Sequence, residues 1–479
     1  MYTLTYSAEK YDEEHLNKRD ILALILKHET ESERIRINLS YYLGDHKINH
    51  RKKEKNLSNN KLMINHARDI SDTATGFFLS SPITYTTNDE SLNIDKLTDA
   101  FDYASTDDVD HDNALDMSRC GVAYEYIYVK EGETNLSLRN LEPMNTFIVY
   151  DDTIEQNPLF AVYYYLKKDD AKSTSTFKAV VCTKNYIYNL NIQNNPGIDQ
   201  STTETPTAHM LGDIPIVEYR NNKDCIGDFE QQKTLIDAYN TLMSDRINDK
   251  EQFLEALLVV YGAILGDDQE ETINAVNELK KSGVLELPDA AKAEYLTRQF
   301  DESGIEILKK ALKDDIYTMS HVPNLTDENF VGNSSGVAME YKLLGLEMIT
   351  RTKERYYTKG LKKRITLFCN YLGLKNIAIN PAAIIPNYSR GLPKNLLELS
   401  QMISNLKGTV SSKTLISQLD FVEDPDGEIE AVKLENEENI KRQQEMFKMN
   451  ENLPPEDIDD EENSTASDKT DEPSTEDTD

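Results

Sequence analysis

DFEQQKTLIDAYNTLMSDRINDKEQFLEALL, residues 228–258, is the stretch whose reading decides the fold. Leu235, Ile236, Tyr239, Leu242, Met243, Ile247, Phe253, Leu254, Leu257 and Leu258 keep the spacing of one helix face. At about 1.5 Å per residue, an unbroken helix of this length exceeds roughly 40 Å. A compact domain rarely needs one so long. The segment suits a bundle, a coiled coil or a stalk.

Working outward from it, residues 259–304 read as a small mixed insert, punctuated by Gly262, Gly266, Gly283, Pro288 and Gly304. A second helix is expected over 305–321, with Leu308, Ala311, Leu312, Ile316 and Met319 on one stripe. A long helix, an insert and a returning helix make a stalk with a knob. NLTDENFVGNSSG, 324–336, is a glycine-bounded loop leading into a third long helix over about 337–372. Gly345 and Gly360 lie inside that helix, each at a cost of about 1 kcal/mol against alanine, so bends are expected there. A helix pair over 395–420 and a charged helix beyond 425 follow.

Upstream, 12–43, 60–80 and 92–119 carry helical periodicity. HKINHRKKEK, 46–55, is a basic stretch, read as an exposed arm or as a phosphate- or partner-facing one. After Pro82, Ile83–Thr86 has strand character. From Gly121 the period becomes two, with Val122, Tyr124, Tyr126 and Tyr128 alternating as in a half-buried strand. Strand-like runs recur at 146–150, 159–167, 178–183 and 186–190, and a polar loop spans 193–207. Residues 60–225 are thus an α+β unit with an antiparallel sheet.

The chain has 479 residues, long enough for two to four folding units. It carries 85 acids against 52 bases, a net charge of -33. Residues 451–479 hold 13 of those acids and one base, Lys469, and should be disordered. The rest of the acidity is spread through the body. A protein that grips DNA tightly is normally basic. The 26 tyrosines, with no tryptophan, suit wet subunit interfaces as well as ordinary half-buried sites.

The four cysteines, Cys120, Cys182, Cys225 and Cys369, lack a CxxC spacing and read as reduced, partly buried thiols. The polar N-terminus is no signal peptide. The most apolar run, Phe253–Leu265, is shorter than the about 20 residues a bilayer requires, so no membrane span is expected. There is no GxxxxGK[ST] or HExxH, and GNSSG at 332–336, though it spells GxSxG, lies in a loop between two expected helices and not at the strand-to-helix turn of a nucleophile elbow. His46 and His50 are four apart but surrounded by lysines, a poor metal pair. The acids of 107–112 fit the first turn of a helix better than a calcium loop. No catalytic residue, cofactor or metal is expected.

Several blocks together resemble the portal proteins of tailed phages that infect Gram-positive bacteria. They are NNKLMINHARDISDTATGFFLSSPITY (59–85), CGVAYEYIYV (120–129), LEPMNTFIVYDD (141–152) and the stretch from Gly212 to Gly262. ENFVGNSSGVAMEYKLLGLE (328–347) and FVEDPDGEIEAVKLENEE (421–438) complete the set.

The resemblance implies an α+β portal fold. Its parts would be an N-terminal helix and basic arm (1–58), a wing (59–227), a stem helix (228–258), a clip (259–304) and a second stem helix (305–323). A tunnel loop (324–336), a long wing helix and return (337–394), a crown (395–450) and the acidic tail (451–479) would follow. It implies a dodecameric ring at one capsid vertex, part of the virion and assembled in the host cytoplasm. Double-stranded DNA would pass through it. Terminase, then head-completion and tail adaptor proteins, would dock on it, with scaffold and major capsid protein as assembly partners and no membrane. Asn329, Asn333, Ser334, Ser335 and Lys342 are the expected channel contacts, with Ser334 or Ser335 also a candidate helix cap. Asp267, Asp268, Lys280 and Lys281 are expected on the partner-facing clip. A generic helical scaffold and a metal-dependent nuclease are the competing readings.

Overall fold

The computed structural model describes residues 3–54, 57–89, 92–168, 175–193, 205–254, 257–261, 268–282, 291–296, 302–325, 336–390, 396–419, 422 and 425–451. The chain divides into two compact units, Met1–Pro393 and Lys394–Asp479.

In the first unit, α1 (Lys18–Tyr42) lays Ile21, Leu22, Leu24 and Ile25 on a six-stranded sheet. That sheet has the order β1-β5-β6-β7-β8-β9. Its strands are Leu4–Tyr6, Thr146–Asp151, Pro158–Lys168, Ser175–Cys182, Tyr186–Gln193 and Thr207–Ala208. All its pairings are antiparallel except the first: β1 joins β5 in parallel, Leu4 beside Val149. The sequence reading placed no strand at residues 4–6; three residues carry too little periodicity to show one.

A three-stranded sheet, order β10-β3-β4, is built from Ile216–Arg220, Val122–Val129 and Leu136–Leu141. Here the half-buried expectation is corrected. Through residues 122–125 β3 is buried on both faces. Val122 and Tyr124 face the core shared with the large sheet, through Ile148, Ala161 and Cys182. Ala123 and Ile127 face a second core, filled from the far side by Tyr357, Leu361, Ile365 and Phe368. These last belong to α8 (Gly336–Leu374), a helix of 39 residues. The three-stranded sheet is therefore a middle layer, and its polar positions are buried as well.

The expected single helix over 92–119 is two, α3 (Asp95–Tyr103) and α4 (Thr106–Cys120). Ser105, with φ +52°, breaks them. α2 (His66–Phe78) precedes them. The short strands β2 (Thr84–Thr87) and β13 (Ile384–Asn387) pair antiparallel and close the layer.

The helix that opened the sequence reading is shorter than 228–258. It is α5, Lys233–Leu254. At its start, Asp228 accepts from Ser118 and Asn221, and Glu230 accepts from the Gly227 amide, which holds a turn ahead of the helix. At its end the apolar run becomes β11 (Leu257–Tyr261), paired antiparallel with β12 (Lys292–Leu296). Its β-branched and aromatic content favours a pleated strand over another turn of helix. Between these strands lies α6 (Gln269–Ser282), and α7 (Glu302–Ser320) returns. The second unit contains helices Leu396–Leu406, Ser412–Ile416 and Pro425–Glu451.

Candidate functional site

The expected channel contacts centre on the loop between α7 and α8. α7 ends where His321 takes a left-handed backbone, φ +58°. Val322 is buried, and its amide donates to Ser320 Oγ at 3.3 Å. Asn329, Asn333, Ser334 and Ser335 lie outside the described residues, and so does any capping by the serines. Lys342 is half-buried in α8, next to Leu343. Leu343 and Leu346 join Phe229, Ile236, Ile316 and Val322 in one apolar cluster with α1 and α2. Both ends of the loop are thus anchored in a common core.

That core has a polar centre. Tyr317 Oη donates its single proton to Asp69 Oδ2 at 2.6 Å, so His66 Nδ1, 3.2 Å away, is the donor to the phenol oxygen. Burial drives the His66 pKa down to about 4.

The described part of the basic stretch, 46–54, folds against α5. Arg51 and Lys53 both reach Asp245, at 2.8 and 2.9 Å, and Lys47 reaches Asp237 at 3.0 Å. The Asn60 amide donates to Asn248 Oδ1 at 2.7 Å. Three of its cations are thus paired within the chain, Lys47 while its side chain stays 75% exposed. His46 is buried. Its Nε2 is 2.9 Å from the Tyr41 carbonyl and must donate, while Nδ1 accepts from Asn240 at 2.9 Å. His50 pairs with Asp45 instead. Neither histidine is set for a metal.

α5 and α7 are joined by Arg246, which bridges Glu302 and Glu306 at 2.7 and 2.8 Å, and by Lys250 to Glu302. These exposed pairs are screened by solvent, so the links fix register more than they stabilise. Among the expected clip residues, Asp268 caps α6: its Oδ1 accepts from the Glu271 amide at 2.8 Å. Lys280 and Lys281 sit in the last turn of α6, where cations complement the helix dipole, and Lys281 is exposed. Asp267 lies outside the described residues. Among the described residues no three His, Cys, Asp or Glu are grouped so as to hold a metal ion, and no helix is long and apolar enough to cross a membrane.

A feature the sequence reading missed is a buried charge cluster. Arg364 of α8 is 0% exposed. Its Nε donates to Glu125 Oε1 at 2.9 Å, and its Nη2 donates to Asp110 Oδ1 and Glu125 Oε2. Tyr357 also donates to Asp110, and Asn113 to Glu125 at 3.0 Å. Burial, opposed by the arginine, leaves Glu125 above the usual carboxylate range. Periodicity could have flagged the arginine, since Leu361, Ile365 and Phe368 put position 364 on the inward face. About three turns earlier on α8, Lys353 binds Asp228, a second buried ion pair of that helix.

A family model described as phage portal protein, SPP1 Gp6-like, matches residues 22–442. The chain belongs to this family of phage portal proteins. Among curated portal relatives it is similar to the portal protein of Bacillus phage SPP1, 24% identical over 383 residues, covering 76% of this chain and 74% of that one. It is also similar to the portal protein of Clostridium phage phiCD119, 22% identical over 410 residues, covering 80% and 85%. Among solved structures it is similar to a chain titled "Neck of native GTA particle computed with C12 symmetry", with TM-score 0.46 and 11% identity over 74% of this chain and 89% of that one. A likeness that low decides nothing about this portal chain; the family match carries its α+β portal fold.

Proposed function

We propose that the chain is a non-enzymatic subunit of a dodecameric ring at the capsid vertex, the channel through which DNA is packaged and ejected. The family match over residues 22–442 carries this reading. The wing is 59–227 completed by α8, the stem is α5 with α7, and the clip is the strand–helix–strand excursion between them. The tunnel loop is 324–336, with Asn329, Asn333, Ser334, Ser335 and Lys342 its DNA-side contacts, and 395–450 is the crown. Asp267, Asp268, Lys280 and Lys281 face terminase first, then the head-completion and tail proteins. Scaffold and major capsid protein are the assembly partners, in the host cytoplasm, before the subunit becomes part of the virion.

The acidic balance supports sliding over gripping. Each phosphate contact adds salt-dependent affinity, and an accumulation of them would hold DNA in place. A generic helical scaffold would give small oligomers without a channel, and a nuclease would cleave DNA with a divalent metal.

Negative-stain images of the purified chain should show rings with a central hole. Deleting residues 329–336 should leave the rings and impair packaging or genome retention. Persistent monomers in every buffer, with scaffold protein present, would sink the ring; unchanged packaging by the deletion would remove the loop's role.

A further inference from the structure

α8 presents two faces. Tyr357, Leu361, Arg364 and Phe368 point inward and are buried. At about 100° per residue, Tyr341, Leu344, Met348, Arg351, Arg355, Lys359 and Lys362 all fall on the opposite side. The three apolar ones are 74%, 52% and 63% exposed. The four basic ones are exposed as well. Arg351 holds only Glu347 of its own helix, at 2.8 Å. Among the described residues, Arg355, Lys359 and Lys362 meet no carboxylate within ion-pair distance. An apolar stripe running into an unneutralised basic one is a surface shaped for a partner.

A matching surface lies in the same chain. Asp108 and Asp112 of α4 are four residues apart and exposed. They lie roughly 160° around α4 from Asp110, with Asp102 and Asp107 adjoining. Crowding adds to partial burial at this patch: Asp107 sits above the usual carboxylate range, burial first and then Asp110, Asp102 and Asp108. Asp110 is the residue bonded to Arg364. Each stripe is therefore on the far side of its helix from that one bond, and the two look in opposite directions across the core.

The geometry points to a head-to-tail contact between copies of this chain, in which the Arg355–Lys359–Lys362 stripe of α8 meets the Asp108–Asp112 face of α4 on the next copy. This deepens the ring reading and rests on it. A two-fold contact through either patch alone would set like charge on like. Two different, oppositely directed and complementary patches instead repeat around an axis, and such contacts close into a ring when the rotation allows. Double-stranded DNA is the other partner chemistry for a basic stripe. The acidic counterpart within the chain and the net charge of -33 favour a second copy.

The test uses the full chain in three forms: unaltered, Arg355→Glu/Lys359→Glu, and Asp108→Lys/Asp112→Lys. Assembly is followed by mass photometry, folding by thermal melting, and DNA retention by packaging assay. The first double variant has two acidic faces and the second two basic ones. Each alone should need about tenfold or more higher concentration to assemble, since like charges now face each other. Both should stay folded, the α4 variant melting somewhat lower because it places a cation in the first turn of its helix. An equimolar mixture should recover rings, because each variant supplies the face that the other lacks. Rings from either variant at the unaltered concentration overturn the contact. So does a mixture that fails to recover although both variants are folded. Intact rings with lost DNA retention in the α8 variant give the stripe to DNA instead. An unaltered chain that forms no rings strikes the ring reading itself, an outcome separable from all of these.

Discussion

Gly360 of α8 lies directly against the ring of Tyr219 in β10. A Cβ on the glycine would stand 2.4 Å from Tyr219 Cδ1 and 3.2 Å from the Glu218 carbonyl oxygen. The glycine thus serves close approach of helix to sheet. α8 continues as helix through it, whereas the sequence had suggested a bend. Tyr219 cannot step aside, because it is fully buried and stacked on Tyr357 at 4.5 Å. Gly360→Ala should therefore destabilise the first unit by about 1–3 kcal/mol, as overpacking does, read from its denaturant midpoint. At Gly345 the nearest atom, His321 Cβ, is 3.6 Å from such a Cβ, so Gly345→Ala should be neutral or mildly stabilising.

Arg364 neutralises two carboxylates where water does not reach. Arg364→Met should cost roughly 3–5 kcal/mol, because it strands Asp110 and Glu125 as buried charges. Adding Asp110→Asn and Glu125→Gln to it should recover a large part of the loss. Equilibrium unfolding of the three chains checks this, and a single variant as stable as the original would contradict it.

Two histidines give the fold a definite pH dependence. Burial lowers His28 to about 4, and burial chiefly lowers His66 to about 4, from an ordinary 6.5. The unfolded chain therefore binds more protons between those values. Stability is complete above about pH 6.5 and is lost as the pH falls toward about 4, by up to about 3 kcal/mol per histidine. His66→Gln should flatten the slope of stability against pH in that window, whatever it does to stability at pH 8.

Asp268 combines a structural and a proposed docking role, and substitutions can part them. Asp268→Ala should loosen the first turn of α6 by about 1 kcal/mol, seen as faster amide exchange at Glu271. Asp268→Ser keeps a capping oxygen and removes the charge. If terminase affinity falls equally in both, the charge is what the partner reads. If only the alanine variant loses affinity, the cap is what matters.

Periodicity made the helices legible, because α7 and α8 each keep one apolar stripe over many turns. It failed where tertiary pairing decides. β1 is three residues held by β5, and β11 is an apolar run turned from helix to strand by its pairing with β12. β3 alternated as expected, yet Glu125 turned out to be as buried as its apolar neighbours. A single sequence does not reveal that an arginine 239 positions later will meet it. The expected DNA contacts rested on family resemblance, since a glycine- and serine-rich loop has no period to read.

The distance along the chain between Asp110 and Arg364 also sets a schedule for synthesis. The ribosome makes both carboxylates, and the strands around them, long before their cation, 254 and 239 residues upstream of it. At 5–20 residues per second, that is a wait on the order of tens of seconds. Until α8 emerges, Ala123 and Ile127 lack the helix that covers them, and Asp110 and Glu125 lack their cation. Residues 59–227 expressed alone should therefore not fold, and a ribosome stalled before position 364 should hold a protease-sensitive chain that becomes resistant once α8 is released.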